Sequence, residues 1–308
     1  MELEDDPFGQ DDASAESEED LTGVSSASLS SAVVWSTDWT AATISDQLRR
    51  RTISLDPAFQ RRDAWTDERK SRFIESLILG LPIPQLVLAE DRKKKGKFIV
   101  IDGKQRLLSL SKFTGVGLDE DQRTLVLKGL DIRDDLNGLT YAGLEGEARY
   151  EDLLSAFQNQ SIRTVVIRGW QSEEVLYTIF HRLNTGSVPL SPQELRQALH
   201  PGPFLSFAAR FSDRVRHFVH CSDCPKSDFR MRDVELVVRF YAFRLKLAQY
   251  RGNLKKFLDT TCDGLNTDWE AEKGDLQGLA NEFEKSIQAA MRIFSSRLRK
   301  SDGNARRS

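Results

Sequence analysis

The sequence predicts an α+β fold in which a mixed α/β core is followed by a C-terminal helical domain. Short apolar runs alternate with helical patterns from Trp39 to about Gly169, and the patterns after Trp170 are helical. With 308 residues, of which 39% are hydrophobic, the chain is long enough to bury such cores. We expect an acidic disordered leader and linker over 1–32, the α/β core over 33–170, the helical domain over 171–299 and a frayed tail over 300–308.

Charge is distributed unevenly along the chain. Residues 1–20 contain ten Asp or Glu and no Lys or Arg, and subtracting them from the net charge of −3 leaves +7 on the other 288 residues. Such a charge block is typical of a solvated tail, which either competes with nucleic acid for the basic body or only keeps the chain soluble. The basic body fits an anionic ligand, either a nucleotide or a nucleic acid.

The sequence contains no evident targeting or membrane signal. Its N-terminus lacks the basic and apolar regions of a signal peptide, and no apolar run approaches the roughly 20 residues that span a bilayer. Three cysteines do not suggest a disulfide framework. We therefore expect a cytoplasmic protein without membrane association.

Local signals predict the elements of the core. A helix is predicted over 41–51, and a second begins after Thr66 as N-cap and ends at Gly80, before Pro82. Two buried strands, QLVLAE and KFIVID, are joined by the basic sequence DRKKKGK, which suits a solvated hairpin tip better than a phosphate-binding loop. A further strand is predicted at TVVIRGW.

Capping residues and periodicity predict the helical domain. Ser172 begins one helix, and Ser191-Pro192-Gln193-Glu194 forms a capping box at the start of the next. Helical periodicity continues in FLSFAARFSDRVRHFV, MRDVELVVRFYAFRLKLAQY and LQGLANEFEKSIQAAMRIFSSRL.

The sequence FIVIDGKQRLLSL places Asp102 and Gly103 between a predicted strand and a predicted helix. The first N–H groups of a helix lack intrahelical partners and carry partial positive charge. Because Lys104 and Arg106 add full positive charges, this turn suits a phosphate group, while Asp102 can hold Mg²⁺ or orient a water molecule. The alternative is a plain turn in which Asp102 caps the helix.

Two further polar stretches are candidate parts of the same site. FQRRDAW places arginine side chains, which suit phosphate, beside Trp65, which either stacks on a base or packs in the core. FHRLNTGSVPLS places Asn184, Thr185 and Gly186 between two predicted helices, where they either contribute to a site or only connect the helices.

Five sequence blocks occur in order between about Ser54 and Phe257: AFQRRDAW, FIESLILGLPIPQLVLAE, FIVIDGKQRLLSL, IFHRLNTGSVPLSPQELRQAL and RMRDVELVVRF. Together they resemble the N-terminal domain family of the GmrSD-type, modification-dependent (type IV) restriction enzymes, the DGQQR-motif family related to ParB and sulfiredoxin. The resemblance implies a ParB/sulfiredoxin-like core with a helical extension. It also implies that the core binds and hydrolyses a nucleoside triphosphate with Mg²⁺ in defence against phage DNA.

The resemblance further implies roles for individual residues. The DGQQR motif falls on Asp102 to Arg106, with Lys104 in place of the first Gln; the added cation keeps phosphate affinity, but an amide that could position water is lost. Catalytic roles are implied for Asp102, which also holds Mg²⁺ through the nucleotide, and for Gln105 and Arg106. Nucleotide binding is implied for Gln60, Arg61, Gly103, Lys104, Asn184, Thr185 and Gly186.

Three functions stay open at this point. The first is an NTPase that serves as the sensor or regulatory component of a DNA-targeting, restriction-type defence system. The second is a non-hydrolysing module that binds DNA or protein and uses nucleotide as a switch, and the third is a ParB-like nuclease. Members of the family typically continue into a His-centred nuclease domain, but no His follows Cys224, so we expect a partner nuclease to cut the DNA. An oligomer is compatible with all three.

A separate cluster consists of His217, His220, Cys221 and Cys224, four zinc-competent side chains within eight residues. Structural zinc sites usually join two separated ligand pairs. The tight spacing therefore favours the alternative, a helix C-terminus with histidines and ordinary buried thiols, and we do not expect zinc.

Overall fold

The computed structural model describes residues 32–53, 55, 64–118, 123–173, 175, 176, 178, 179, 191–218, 228 and 231–301. Within this part, the side chains of 216–218 and 290–301 are not described. The predictions made for the acidic leader before residue 32 and for the tail after residue 301 lie outside the described residues. The described chain is a mixture of α-helices and one mixed sheet, which confirms the predicted α+β class.

Four strands form the sheet: β1 (Val33–Thr40), β2 (Leu86–Glu90), β3 (Phe98–Asp102) and β4 (Ser161–Arg168). Their order is β1-β4-β2-β3. β1 runs antiparallel to β4, β4 runs parallel to β2, and β2 and β3 form an antiparallel hairpin whose tip is the predicted basic turn. β1 was not predicted from the sequence.

One face of the sheet is covered by α1 (Ala41–Arg49), α2 (Asp67–Ile78), α3 (Lys104–Thr114), α4 (Tyr141–Glu145) and α5 (Glu151–Asn159). α2 begins as predicted, because the hydroxyl of Thr66 accepts a hydrogen bond from the backbone N–H of Arg69. Glu75 of α2 fixes the segment that connects α3 to α4. Its buried carboxylate accepts hydrogen bonds from the backbone N–H groups of Asp131, Ile132 and Arg133. The residues buried between these helices and the sheet form the core that positions α3.

The opposite face of the sheet packs against residues that follow β4. Val87, Ile101 and Ile167 on this face contact Trp170 and Leu195 in a second, smaller cluster. Leu195 lies in α6 (Pro192–Leu199), which has the predicted capping box. Helix α6 is therefore packed directly on the sheet.

The remaining helices build a separate core. They are α7 (Pro203–Phe218), α8 (Arg232–Lys246), α9 (Leu254–Thr267) and α10 (Trp269–Ser301). Phe204, Tyr241 and Leu258 are buried at its centre, and the hydroxyl of Tyr241 donates to the carbonyl oxygen of Leu276 at 2.8 Å. None of the described helices is both long enough and apolar enough to cross a lipid bilayer.

Candidate functional site

The Asp-Gly step is a strand-to-helix turn, as predicted. β3 ends at Asp102, and Gly103 is the N-cap of α3 in a left-handed conformation with φ +97°. A Cβ atom at Gly103 would lie 2.3 Å from Cδ2 of Leu86, so the position accepts only glycine without a rearrangement. The N-cap position is occupied by Gly103 and not by Asp102, whose carboxylate instead accepts a hydrogen bond from Arg106. Gly103 itself contributes no side chain to the N-terminus of α3.

Asp102 and Arg106 form an ion pair across the first turn of α3. Nη2 of Arg106 lies 2.9 Å from Oδ2 of Asp102 and also donates to the carbonyl oxygen of Gln85 at 3.0 Å. The side chain of Arg106 is 8% exposed and that of Asp102 is 22% exposed. Nε of Arg106 is buried and has no hydrogen-bond partner among the described residues. The guanidinium is therefore held in place while one of its N–H donors is left for another acceptor.

Gln105 connects the turn to the start of α2. Its Oε1 accepts a hydrogen bond from the backbone N–H of Trp65 at 3.2 Å. The Trp65 ring packs edge-on against Phe73, with ring centroids 5.9 Å apart, and the guanidinium of Arg69 lies 4.7 Å from its centre. This arrangement agrees with the packing interpretation of Trp65.

Lys104, the first residue of α3, forms a buried ion pair with Glu194. Its Nζ is 2.7 Å from Oε1 of Glu194, and both side chains are 5% exposed. The same glutamate completes the capping box of α6, because its Oε2 accepts from the backbone N–H of Ser191 at 2.7 Å. The positive charge of Lys104 is thus compensated within the fold, and the ion pair connects the turn to α6.

Glu194 is a residue of this site that sequence reasoning did not find. The capping box predicted its position on α6, but its partner Lys104 is 90 residues away, and no local pattern indicates such a contact. Whether Lys104 also binds phosphate stays a prediction.

Several predicted site residues lie outside the described residues: Gln60, Arg61, Asn184, Thr185 and Gly186. Of the four zinc candidates, His220, Cys221 and Cys224 also lie outside them, and only the backbone of His217, in α7, is described. Their assigned roles stay predictions. Asp102, Gly103, Lys104, Gln105 and Arg106 are brought together at one strand-to-helix turn.

Comparison with known proteins gives one family. The family model described as "GmrSD restriction endonuclease, N-terminal domain" matches residues 44–201, just over half of the chain. The matched region runs from α1 through α6 and contains both the Asp102–Arg106 turn and Glu194. No curated protein and no solved structure matches the chain.

Proposed function

Because this chain belongs to the family of the GmrSD restriction endonuclease N-terminal domain, we propose that it binds and hydrolyses a nucleoside triphosphate as the sensing or regulatory component of a restriction-type defence system. The observation that carries the proposal is the N-terminus of α3. It combines a glycine N-cap with an arginine that is fixed in place and whose buried Nε has no hydrogen-bond partner among the described residues.

This combination suits a phosphate group. The dipole of α3 favours negative charge at its N-terminus, and Gly103 allows a ligand to approach the backbone closely. Arg106 adds a full positive charge, and its orientation is already fixed by Asp102 and by the carbonyl oxygen of Gln85. A phosphate oxygen that accepts from Nε of Arg106 would satisfy the donor that has no partner in the described structure.

The residues of the turn also fit an Mg²⁺ ion bound with the nucleotide. Mg²⁺ in such sites is held by one or two carboxylates together with phosphate oxygens, and it neutralises charge that develops on the phosphates. Asp102 supplies a partly exposed carboxylate, of which Oδ2 is bonded to Arg106, so that the second oxygen is the one that would hold the ion. Gln105 would orient the attacking water, and Arg106 would stabilise the charge of the transition state. The further nucleotide ligands proposed are Gln60, Arg61, Lys104, Asn184, Thr185 and Gly186.

DNA is the proposed target of the system. We propose that this chain senses DNA, including modified DNA, directly or through a nuclease that carries out the cleavage. Nucleotide binding at the turn would be transmitted to α6 through the buried pair of Lys104 and Glu194.

One observation favours a second candidate function, a nucleotide-switched binding module without hydrolysis. Lys104 replaces the first Gln of the DGQQR motif, and its ammonium is engaged by Glu194. One of the two amides that could position a water molecule is therefore missing, while the lysine joins the turn to α6 through the ion pair with Glu194.

The test is a phosphate-release assay on the purified chain with each triphosphate and Mg²⁺, with and without modified DNA. Turnover should be lost in Asp102→Ala. The matched control is Asp46→Ala, because Asp46 also forms an (i, i+4) ion pair with an arginine, Arg50 at the end of α1, in which Oδ2 lies 2.8 Å from Nε and both side chains are more exposed. Tight binding of a triphosphate without turnover would instead establish the switch, and DNA cleavage by the chain alone would establish a nuclease. Equal turnover in both variants would refute the assignment of the site.

A further inference from the structure

A second cluster of ionisable side chains lies away from the Asp102–Arg106 turn, between α6 and α9. This His200 cluster consists of Glu173, His200, Asp259 and Asp263. Glu173 follows β4, His200 is the C-cap of α6, and the two aspartates lie one turn apart on α9. We propose that Glu173, His200 and Asp259 bind a divalent metal ion of the kind that accepts carboxylate and imidazole ligands, such as Mn²⁺.

The orientation of the imidazole is set by Asp263. Nδ1 of His200 lies 2.8 Å from Oδ1 of Asp263, and an ionised carboxylate can only accept, so Nδ1 carries the proton and donates it. Nε2 then faces Oε2 of Glu173 at 3.0 Å and Oδ1 of Asp259 at 4.0 Å. The ligand atoms of these three residues all lie within 4.8 Å of one another.

The contact between His200 and Glu173 is short but poorly aligned for a hydrogen bond. Nε2 of His200 is buried and makes no hydrogen bond in the described part of the chain, although Glu173 is only 3.0 Å away. The carboxylate oxygen must therefore lie away from the direction in which an Nε2–H group would point. A metal ion would occupy that axis itself, about 2.1 Å from the nitrogen, and its carboxylate ligands would lie to the side of the axis. The observed arrangement suits coordination better than donation.

The surroundings of the three ligands resemble an outer coordination shell. Histidines that bind metals usually donate their other ring N–H to a carboxylate, as His200 does to Asp263. Carboxylates that bind metals are in turn hydrogen-bonded. Asp259 accepts from Nε of Arg196 at 2.6 Å and from Nζ of Lys255 at 2.9 Å.

The charge balance leaves room for a cation. With neutral His200, the three carboxylates of the His200 cluster exceed the two cations, Arg196 and Lys255, by one negative charge. A proton on Nε2 would compete with the metal ion for this nitrogen. Burial alone lowers the pKa of His200, but the neighbouring carboxylates of Glu173, Asp259 and Asp263 raise this pKa above its ordinary value. Glu173 is 31% exposed and so gives a metal ion access from solvent.

The test is a titration of the EDTA-treated full chain with Mn²⁺, in which electron paramagnetic resonance measures the free ion. Mn²⁺ is used because it prefers oxygen and imidazole ligands, whereas zinc also binds thiolates and would not discriminate against the cysteines of the chain. We expect one bound ion per chain and an affinity at least tenfold weaker in Glu173→Gln. Glu151→Gln is the matched control, since Glu151 is an exposed glutamate at the start of α5.

Two more variants distinguish the His200 cluster from the proposed nucleotide site. Asp263→Asn leaves the three ligands in place and should weaken binding by about 10- to 100-fold, through the orientation of His200. Asp102→Asn should leave Mn²⁺ binding unchanged in the absence of nucleotide, so the result is independent of the proposed nucleotide site. The proposal is overturned if no ion binds at millimolar Mn²⁺, if Glu173→Gln binds as tightly as the native chain, or if Asp102→Asn is the variant that loses the ion.

Discussion

Replacing Glu194 by Gln should destabilise the protein more than any single exposed charge change. Gln is also found at this position of capping boxes, so its side-chain oxygen can still accept from the N–H of Ser191. The substitution removes only the negative charge that lies 2.7 Å from Nζ of Lys104. Because both side chains are 5% exposed, water cannot replace the lost charge at Lys104.

The magnitude follows from burial. Removing one partner of a buried ion pair leaves an uncompensated charge and costs about 3–5 kcal/mol. An exposed ion pair contributes only about 0.2–1 kcal/mol. Glu147→Gln is therefore the control, since Glu147 and its partner Arg149 have side chains that are 47% and 68% exposed. In a domain of 150–250 residues each kcal/mol shifts the melting temperature by about 2–4 °C, so Glu194→Gln should lower it by roughly 10 °C.

The assay is urea unfolding followed by circular dichroism for Glu194→Gln, Lys104→Met and the double variant. Each single variant should lose about 3–5 kcal/mol of unfolding free energy. The double variant has neither charge, so its loss of unfolding free energy should be about 2 kcal/mol smaller than the sum of the two single losses. A loss below about 1 kcal/mol in Glu194→Gln, or additive losses in the double variant, would refute the stabilising role of the buried pair.

Three further outcomes are expected. In urea unfolding, Gly103→Ala should lose about 1–3 kcal/mol more unfolding free energy than Gly96→Ala. Both glycines have positive φ, but only at Gly103 does the added Cβ meet an atom, Cδ2 of Leu86, at 2.3 Å. Equal losses in the two variants would contradict this. Glu75→Gln should cost about 1.5–3 kcal/mol and speed amide exchange at residues 131–133, because a carboxylate accepts all three of their N–H groups; unchanged exchange would contradict it. The pKa of Glu68 is lowered from 4.5 to about 2 by its own backbone N–H and by a neighbouring lysine, so its contribution to stability is present above pH 4.5 and lost as the pH falls to about 2. The melting temperature of Glu68→Gln should therefore fall less steeply across that range than that of the native chain, and parallel curves would rule the contribution out.

Elements with strong local signals could be predicted from the sequence. The hydroxyl of Thr66, the capping box at Ser191 and the glycine at 103 each act on neighbouring residues, so the sequence contains the whole interaction. The basic hairpin tip between β2 and β3 is local in the same way. These signals predicted the turn that forms the candidate site.

Non-local features could not be predicted. β1 has Ser36, Thr37 and Asp38 at its centre, a composition typical of a linker, and most of the strand is exposed. It is a strand because it pairs with β4, from Val33 opposite Arg168 to Thr40 opposite Ser161. The burial of Lys104 against Glu194 has the same origin, since a lysine in a polar motif looks solvated until α6 packs over it.

The pairing of β1 with β4 has a consequence for residues 1–31. Val33 lies opposite Arg168, whose Nε is 3.4 Å from the carboxylate of Glu90 at the base of the β2–β3 hairpin. Residues 1–31 therefore join the described chain at the end of the sheet that bears the basic hairpin tip. A ligand that binds the basic hairpin tip would therefore meet it beside the point where a segment with ten acidic and no basic residues in its first 20 joins the fold.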